Sequence, residues 1–310
     1  KSMASMPHLA PLNLEAWISE HRHELVPPVC NKLVFGDGSW KVMVVGGPNE
    51  RADYHIEEGE EFFFQLKGAM CLKLIEQGRP RDVTIGEGQM FLLPARIPHS
   101  PNRVANSVGL VVERARREGE LDGLRYYTAG HAAVLYEEWF HCTDLGKDLK
   151  PIIERFNASD AKRTGVPERA FPPPPVRVDE SRCVPEPIAF DGWLARERGA
   201  EGAPEVCAGR ALFPHAQRGE FAVDVYRGAC ATPRRARAAE VLLLQREGSA
   251  RVQVEAGGEH GEEASTLILR AGELVLLPAG CVYAMSGVSA DCAGIELYLD
   301  EGFEKRPSRC

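Results

Sequence analysis

The chain has 310 residues, 44% hydrophobic and 26% charged, with a formal net charge of −8. At about 100–200 residues per domain, this predicts two domains with ample apolar material for their cores. The acidic balance argues against a nucleic-acid footprint, which needs a basic face, and no apolar run approaches the roughly 20 residues that cross a bilayer.

Residues 1–5 (KSMAS) precede Met6 and read as an appended tag, and no charged-then-apolar secretory pattern follows. LEAWISEHR (14–22) reads as a short amphipathic helix capped by Asn13. Strand signals then dominate: KVMVV (41–45), EFFFQLKG (61–68), AMCLKLIE (69–76), MFLLP (90–94) and VGLVVE (108–113). These runs are short, β-branched or aromatic, and punctuated by Gly and Pro. LYEEWF (135–140) and LKPIIERF (149–156) read as helical segments closing the first unit. FPPPPVRV (171–178) cannot be helical and reads as an extended linker. FDGWLARER (190–198) repeats the early helix, led by Asp191. The run Arg234, Arg235, Arg237 reads as a solvated loop.

An internal repeat organises the whole. EFFFQLKGAM (61–70) matches VLLLQREGSA (241–250) at an offset of 180, and IGEGQMFLLPARIPH (85–99) matches LRAGELVLLPAGCVY (269–283) at an offset of 184. The expected organisation is a unit over 1–160, a linker over 161–185 and a second unit over 186–310. Many short strands at near-regular spacing predict a mainly β fold, one barrel per unit, with few flanking helices. The nine Cys are odd in number and scattered, with no CxxC. That pattern favours free thiols in the cytosol over disulfides or a thiolate zinc site.

One stretch carries chemistry. His55 and Glu61 are followed by Gly68, and Gly88 and Pro94 are followed by His99. This spacing matches the two cupin signatures, so each unit is expected to be a jelly-roll-like cupin barrel. Glu57 stands where a second His of the first signature would be; Arg96 and Arg103 replace a Gly and an Asn of the second. Glu58 and Glu60 read as solvated neighbours in a turn. His55 and Glu61 share strand parity and so face the same way. A lone His in a strand is usually structural, but two imidazoles and one carboxylate in this frame form the facial triad of non-haem iron(II) oxygenases. The same ligand types also suit Mn, Ni, Cu or Zn.

The runs PPVCNKL (27–33), GGPNERADYHIEEGEEFFFQL (46–66), FLLPARIPHSPNR (91–103), VGLVVERAR (108–116) and LDGLRYY (121–127) make the resemblance specific. Over about residues 12–156 the chain resembles the animal-type 3-hydroxyanthranilate 3,4-dioxygenases. The resemblance implies one Fe(II) per chain on His55, Glu61 and His99. It implies a small aromatic substrate and O2 as partners, and opening of the ring to 2-amino-3-carboxymuconate semialdehyde, which leads to quinolinate and NAD. By position, Arg103 would bind the substrate carboxylate and Glu113 would accept a hydrogen bond from the amine or hydroxyl. Arg51 would offset negative charge developing on oxygen, and Asn31 would line the pocket. The CxxC pairs that hold a second iron in bacterial relatives are missing here, so a single metal is expected.

Aligning the repeat sets Arg235 against His55, Val241 against Glu61 and Tyr283 against His99. No ligand survives, and Glu240 is one position out of register, which turns a strand side chain to the opposite face. The rival readings are another metal-dependent cupin enzyme, such as an isomerase, and a non-enzymatic two-cupin binding protein. A ligand-free second barrel can replace the partner subunit that single-barrel relatives recruit, so a monomer is expected. Sedimentation should therefore return 34.1 kDa; twice that mass would refute the monomer.

Overall fold

The structure is a computed structural model that describes residues 9–27, 30–168, 170–199, 209–214, 219–229, 231–255 and 264–303. Residues 1–5, expected to be a tag, lie outside them. The chain divides into two compact units, residues 23–193 with 305–310, and residues 1–22 with 194–304.

In the first unit two six-stranded antiparallel sheets form a barrel. One has the order Ile188–Ala189, Gln89–Leu93, Glu61–Lys67, Val108–Arg114, Trp40–Gly46, Asn31–Phe35. The other has the order Val134–Phe140, Asp122–Tyr127, Tyr54–Ile56, His99–Arg103, Ala69–Glu76, Arg79–Gly86. Strand periodicity makes the interior. In Trp40–Gly46 every second residue is buried, as expected where successive side chains point to opposite faces. Phe63, Leu72, Leu74, Ile85, Phe91 and Val111 pack together between the sheets. Helix Leu145–Ala158, capped by Asp144 accepting from the Gly146 N–H, lays Ile152 and Phe156 against Leu124 and Tyr126.

The second unit repeats the plan. Its larger sheet has the order Leu12–Asn13, Glu273–Leu277, Val241–Glu247, Ala293–Leu299, Phe221–Arg227, Arg210–Ala211, and the smaller is Ser265–Arg270, Ser249–Val254, Tyr283–Gly287. Leu243, Val252, Leu269, Leu277 and Met285 form its core. The mainly β, two-barrel architecture is thus the one the sequence predicts.

Four details differ from expectation. LYEEWF is strand, not helix: Val134–Phe140 pairs along Asp122–Tyr127. Its residues Leu135 and Glu137 are buried alternately, the two-residue period that a helix cannot use. Unit boundaries also depart from chain order. Strand Leu12–Asn13 pairs with Leu274 and Glu273, whereas Ile188–Ala189 pairs with Met90 and Gln89. The expected linker is packed onto the first barrel: the Asp179 N–H donates to Arg96 O at 3.0 Å, and Val184 is buried in that core. Prolines fix an extended path there without freeing it from the barrel. Asn13 does cap helix Leu14–His21, accepting from the Ala16 N–H at 2.9 Å. Asp191, by contrast, lies inside helix Phe190–Gly199 rather than at its cap.

Candidate metal centre

The strands bring the expected ligands together. His55 on Tyr54–Ile56 lies directly opposite His99 on His99–Arg103. Residues so paired hold their Cβ atoms about 5 Å apart, and the two imidazole centroids are 5.2 Å apart. Glu61 opens the strand Glu61–Lys67, opposite Glu113 on one side and Leu93 on the other. Its Oε2 sits 3.1 Å from His99 Nε2.

Neighbours dictate which nitrogen of each ring is available. His99 Nδ1 lies 3.0 Å from Ile97 O, so that nitrogen donates and Nε2 keeps its lone pair. His55 Nε2 lies 2.7 Å from Asp122 Oδ2. Burial alone would raise the Asp122 carboxyl, but hydrogen bonds and charge from His55 and Arg116 overcome it and hold it low. An ionised Asp122 fixes the proton on His55 Nε2 and leaves Nδ1 as the donor atom. Burial also lowers the His55 pKa, against the pull of Asp122, which favours the neutral imidazole that metals require.

A bare His99 Nε2 facing a carboxylate oxygen at 3.1 Å is repulsive unless something positive lies between them. Glu61 Oε2 is buried with no well-aligned hydrogen bond. Two imidazoles and one carboxylate lining one cavity are donor types that fit a divalent transition metal. Among the described residues, the grouping whose ligand atoms lie within 4.8 Å of one another is instead Glu57, Glu61 and Glu113. Two of its members are already neutralised: Arg116 pairs with Glu57 at 2.7 Å and with Glu113, as well as with Asp122 at 2.8 Å.

Arg51, His55, Glu61, His99, Arg103 and Glu113 all line one cavity of about 680 Å³, as does Asn31. Val45, Phe63, Pro101 and Ile153 give it apolar wall. Arg103 and Glu113 are both buried, and Glu113 pairs with Arg116. Desolvation pushes Glu113 up to about 7, with Arg116 opposing. Arg103 is brought down to about 10 by burial. Among the described residues its Nε has no partner, and its Nη1 meets Gln65 Oε1 at 3.4 Å and Met70 Sδ at 3.1 Å. Arg51, in contrast, is held by Asp53.

Some site residues were missed. Glu58 and Glu60 are buried rather than solvated; the Leu121 N–H donates to Glu58. Asp122 and Arg116 were not singled out, although an acid opening the aromatic strand DGLRYY is the signal that marks Asp122.

In the second barrel Arg235 bridges to Tyr283, the positions of His55 and His99, and Val241 faces Leu277 as Glu61 faces Leu93. The expectation of a solvated arginine loop fails for Arg235, whose side chain is 15% exposed and lies 2.9 Å from the fully buried Glu296. Tyr283 donates to the same carboxylate, so an internal ion pair fills the place of a metal. Arg234 is exposed, as expected.

The model of the 3-hydroxyanthranilic acid dioxygenase family matches residues 6–157. Proteins named 3-hydroxyanthranilate 3,4-dioxygenase are similar over most of their length. The one from Homo sapiens is 45% identical over 275 residues, 88% of this chain and 91% of the relative. The one from Bos taurus is 44% identical with the same coverage, and the one from Danio rerio is 41% identical over 300 residues, 96% and 97% of the two chains. The chain belongs to the 3-hydroxyanthranilic acid dioxygenase family.

Proposed function

We propose that the chain is a cytosolic, monomeric dioxygenase that opens the ring of 3-hydroxyanthranilate, with one iron(II) held by His55 Nδ1, Glu61 and His99 Nε2. The observation that carries this is the meeting of two imidazoles, one carboxylate and the unpaired, buried Arg103 in a single cavity. Iron(II) held by these residues would supply the one-electron chemistry that O2 needs.

The protein's own groups do the rest. The Arg103 guanidinium, with no carboxylate on it, is placed to donate two parallel hydrogen bonds to the ring carboxylate. Glu113, with its pKa near 7, suits the acceptance of a proton from the ring hydroxyl or amine at neutral pH. Arg51 brings positive charge to the cavity wall, steadied by Asp53, and Asn31 adds a polar contact. The apolar wall limits water beside the reacting ring. Both oxygen atoms of O2 enter the product, 2-amino-3-carboxymuconate semialdehyde. Six described cysteines are free thiols, which suits a reducing compartment.

Anaerobic iron loading followed by 3-hydroxyanthranilate and air should consume O2 and raise a new near-ultraviolet absorbance, with His99→Ala silent. No reaction from folded, iron-loaded chain would remove the dioxygenase reading and favour the isomerase or binding-protein alternatives. Asp122→Asn, which keeps the shape but loses the charge that orients His55, should weaken iron binding by about 10–100-fold. Chelator competition measures this, and unchanged affinity would show that Asp122 does not set the ligand.

A further inference from the structure

Buried arginines in the first barrel meet carboxylates: Arg114 meets Glu120 at 2.6 Å, Arg116 meets Asp122 at 2.8 Å, and Arg125 Nε donates to Glu137 at 2.6 Å. Arg103 is the exception. Its contacts are an amide oxygen and a thioether, both neutral. The amide is itself fixed, because Gln65 is buried and its Nε2 donates to Lys67 O at 2.8 Å, which leaves Oε1 turned toward the guanidinium. Room for the guanidinium comes from Gly109, the direct cross-strand partner of Gln65. A Cβ on Gly109 would lie 2.9 Å from Arg103 Nη1 and 3.1 Å from Gln65 Oε1.

The second barrel repeats this arrangement with a different occupant. Gln245 faces Gly294 across the strands, and its Nε2 donates to Glu247 O at 2.6 Å. Its Oε1 accepts from the Tyr226 hydroxyl at 2.8 Å. A Cβ on Gly294 would lie 2.2 Å from that hydroxyl. The Gln–Gly pair is thus a socket that receives one donor. In the barrel without ligands the donor is a neutral phenol; in the barrel with the His–Glu–His set it is a cation left without a counter-ion.

We propose that Gln65, with Gly109 opposite, is a positioning residue that holds Arg103 by neutral contacts and so keeps its charge available to the substrate carboxylate. This rests on the reading of Arg103 above. Neutrality matters more than the hydrogen bond, which at 3.4 Å is long. A carboxylate in the same place would close an ion pair with Arg103 and compete with the ligand's own carboxylate.

The test compares dissociation constants of the anaerobic, iron-loaded chain for 3-hydroxyanthranilate and for 2-aminophenol, the same ring without the carboxylate. Gln65→Glu, nearly isosteric, should weaken 3-hydroxyanthranilate by about tenfold or more while 2-aminophenol changes by less than about threefold. Arg103→Ala should show the same selectivity, and Gln65→Glu should add nothing in that background. Gly109→Ala offers a second route, since its new methyl is accommodated by moving the guanidinium, and should reproduce the selective loss if Gln65→Glu does not fold. A selective loss in Arg103→Ala with neither socket variant affected would overturn the socket and leave the Arg103 reading intact. Equal losses for both ligands in the socket variants would also overturn it. No selective loss in Arg103→Ala would remove the Arg103 reading, and the socket with it.

Discussion

A charge buried in a β-barrel has to meet an opposite charge or give up its ionisation, and that constraint organises the first barrel. Arg116 is the centre of the arrangement. It gathers Glu57, Glu113 and Asp122 around one guanidinium; burial raises Glu57 and Glu113, while Asp122 is held low and keeps its charge. Asp122 passes part of that charge to His55, fixing its proton on the side away from the cavity. What stays uncompensated is then confined to two places: the Glu61 oxygen beside a bare imidazole nitrogen, and the Arg103 guanidinium. The first asks for a cation and the second for an anion. A metal ion and a carboxylated aromatic ligand answer both.

The second barrel shows what the fold does when that demand is met internally. Arg235 and Glu296 neutralise one another where the metal ligands would stand. Tyr298 donates to Asp224, with the Arg237 guanidinium 3.7 Å from the Tyr298 ring centre. Strand register is kept, with Arg235 opposite Tyr283 as His55 is opposite His99. The same backbone therefore supports either an open reactive cluster or a closed ionic core, and the side chains at a few inward positions decide which.

Much of this was legible in the sequence because the chain carries an internal repeat. The expected shared parity of His55 and Glu61 does not apply, because they stand on strands of different sheets, but the repeat fixes which residues replace them in the second copy. The strand signals of EFFFQLKG and MFLLP also held. What was not legible depends on contacts distant in the chain. Asp122 is 67 residues from His55, and no local pattern announces their bond. LYEEWF carries both helical composition and a two-residue period, and only pairing with Asp122–Tyr127 selects the strand. Glu58 and Glu60 look like a solvated acidic turn until tertiary packing buries them. The proline-rich stretch is extended as expected, but nothing in its composition tells that Val184 reaches the core.

The account turns on where a metal sits. Anomalous diffraction at the iron edge, from crystals grown anaerobically with iron(II), tests that most directly. One peak is predicted, about 2.1 Å from His55 Nδ1, His99 Nε2 and a Glu61 oxygen, with none in the second barrel. A peak among Glu57, Glu61 and Glu113, or one beside Arg235 and Tyr283, would contradict it.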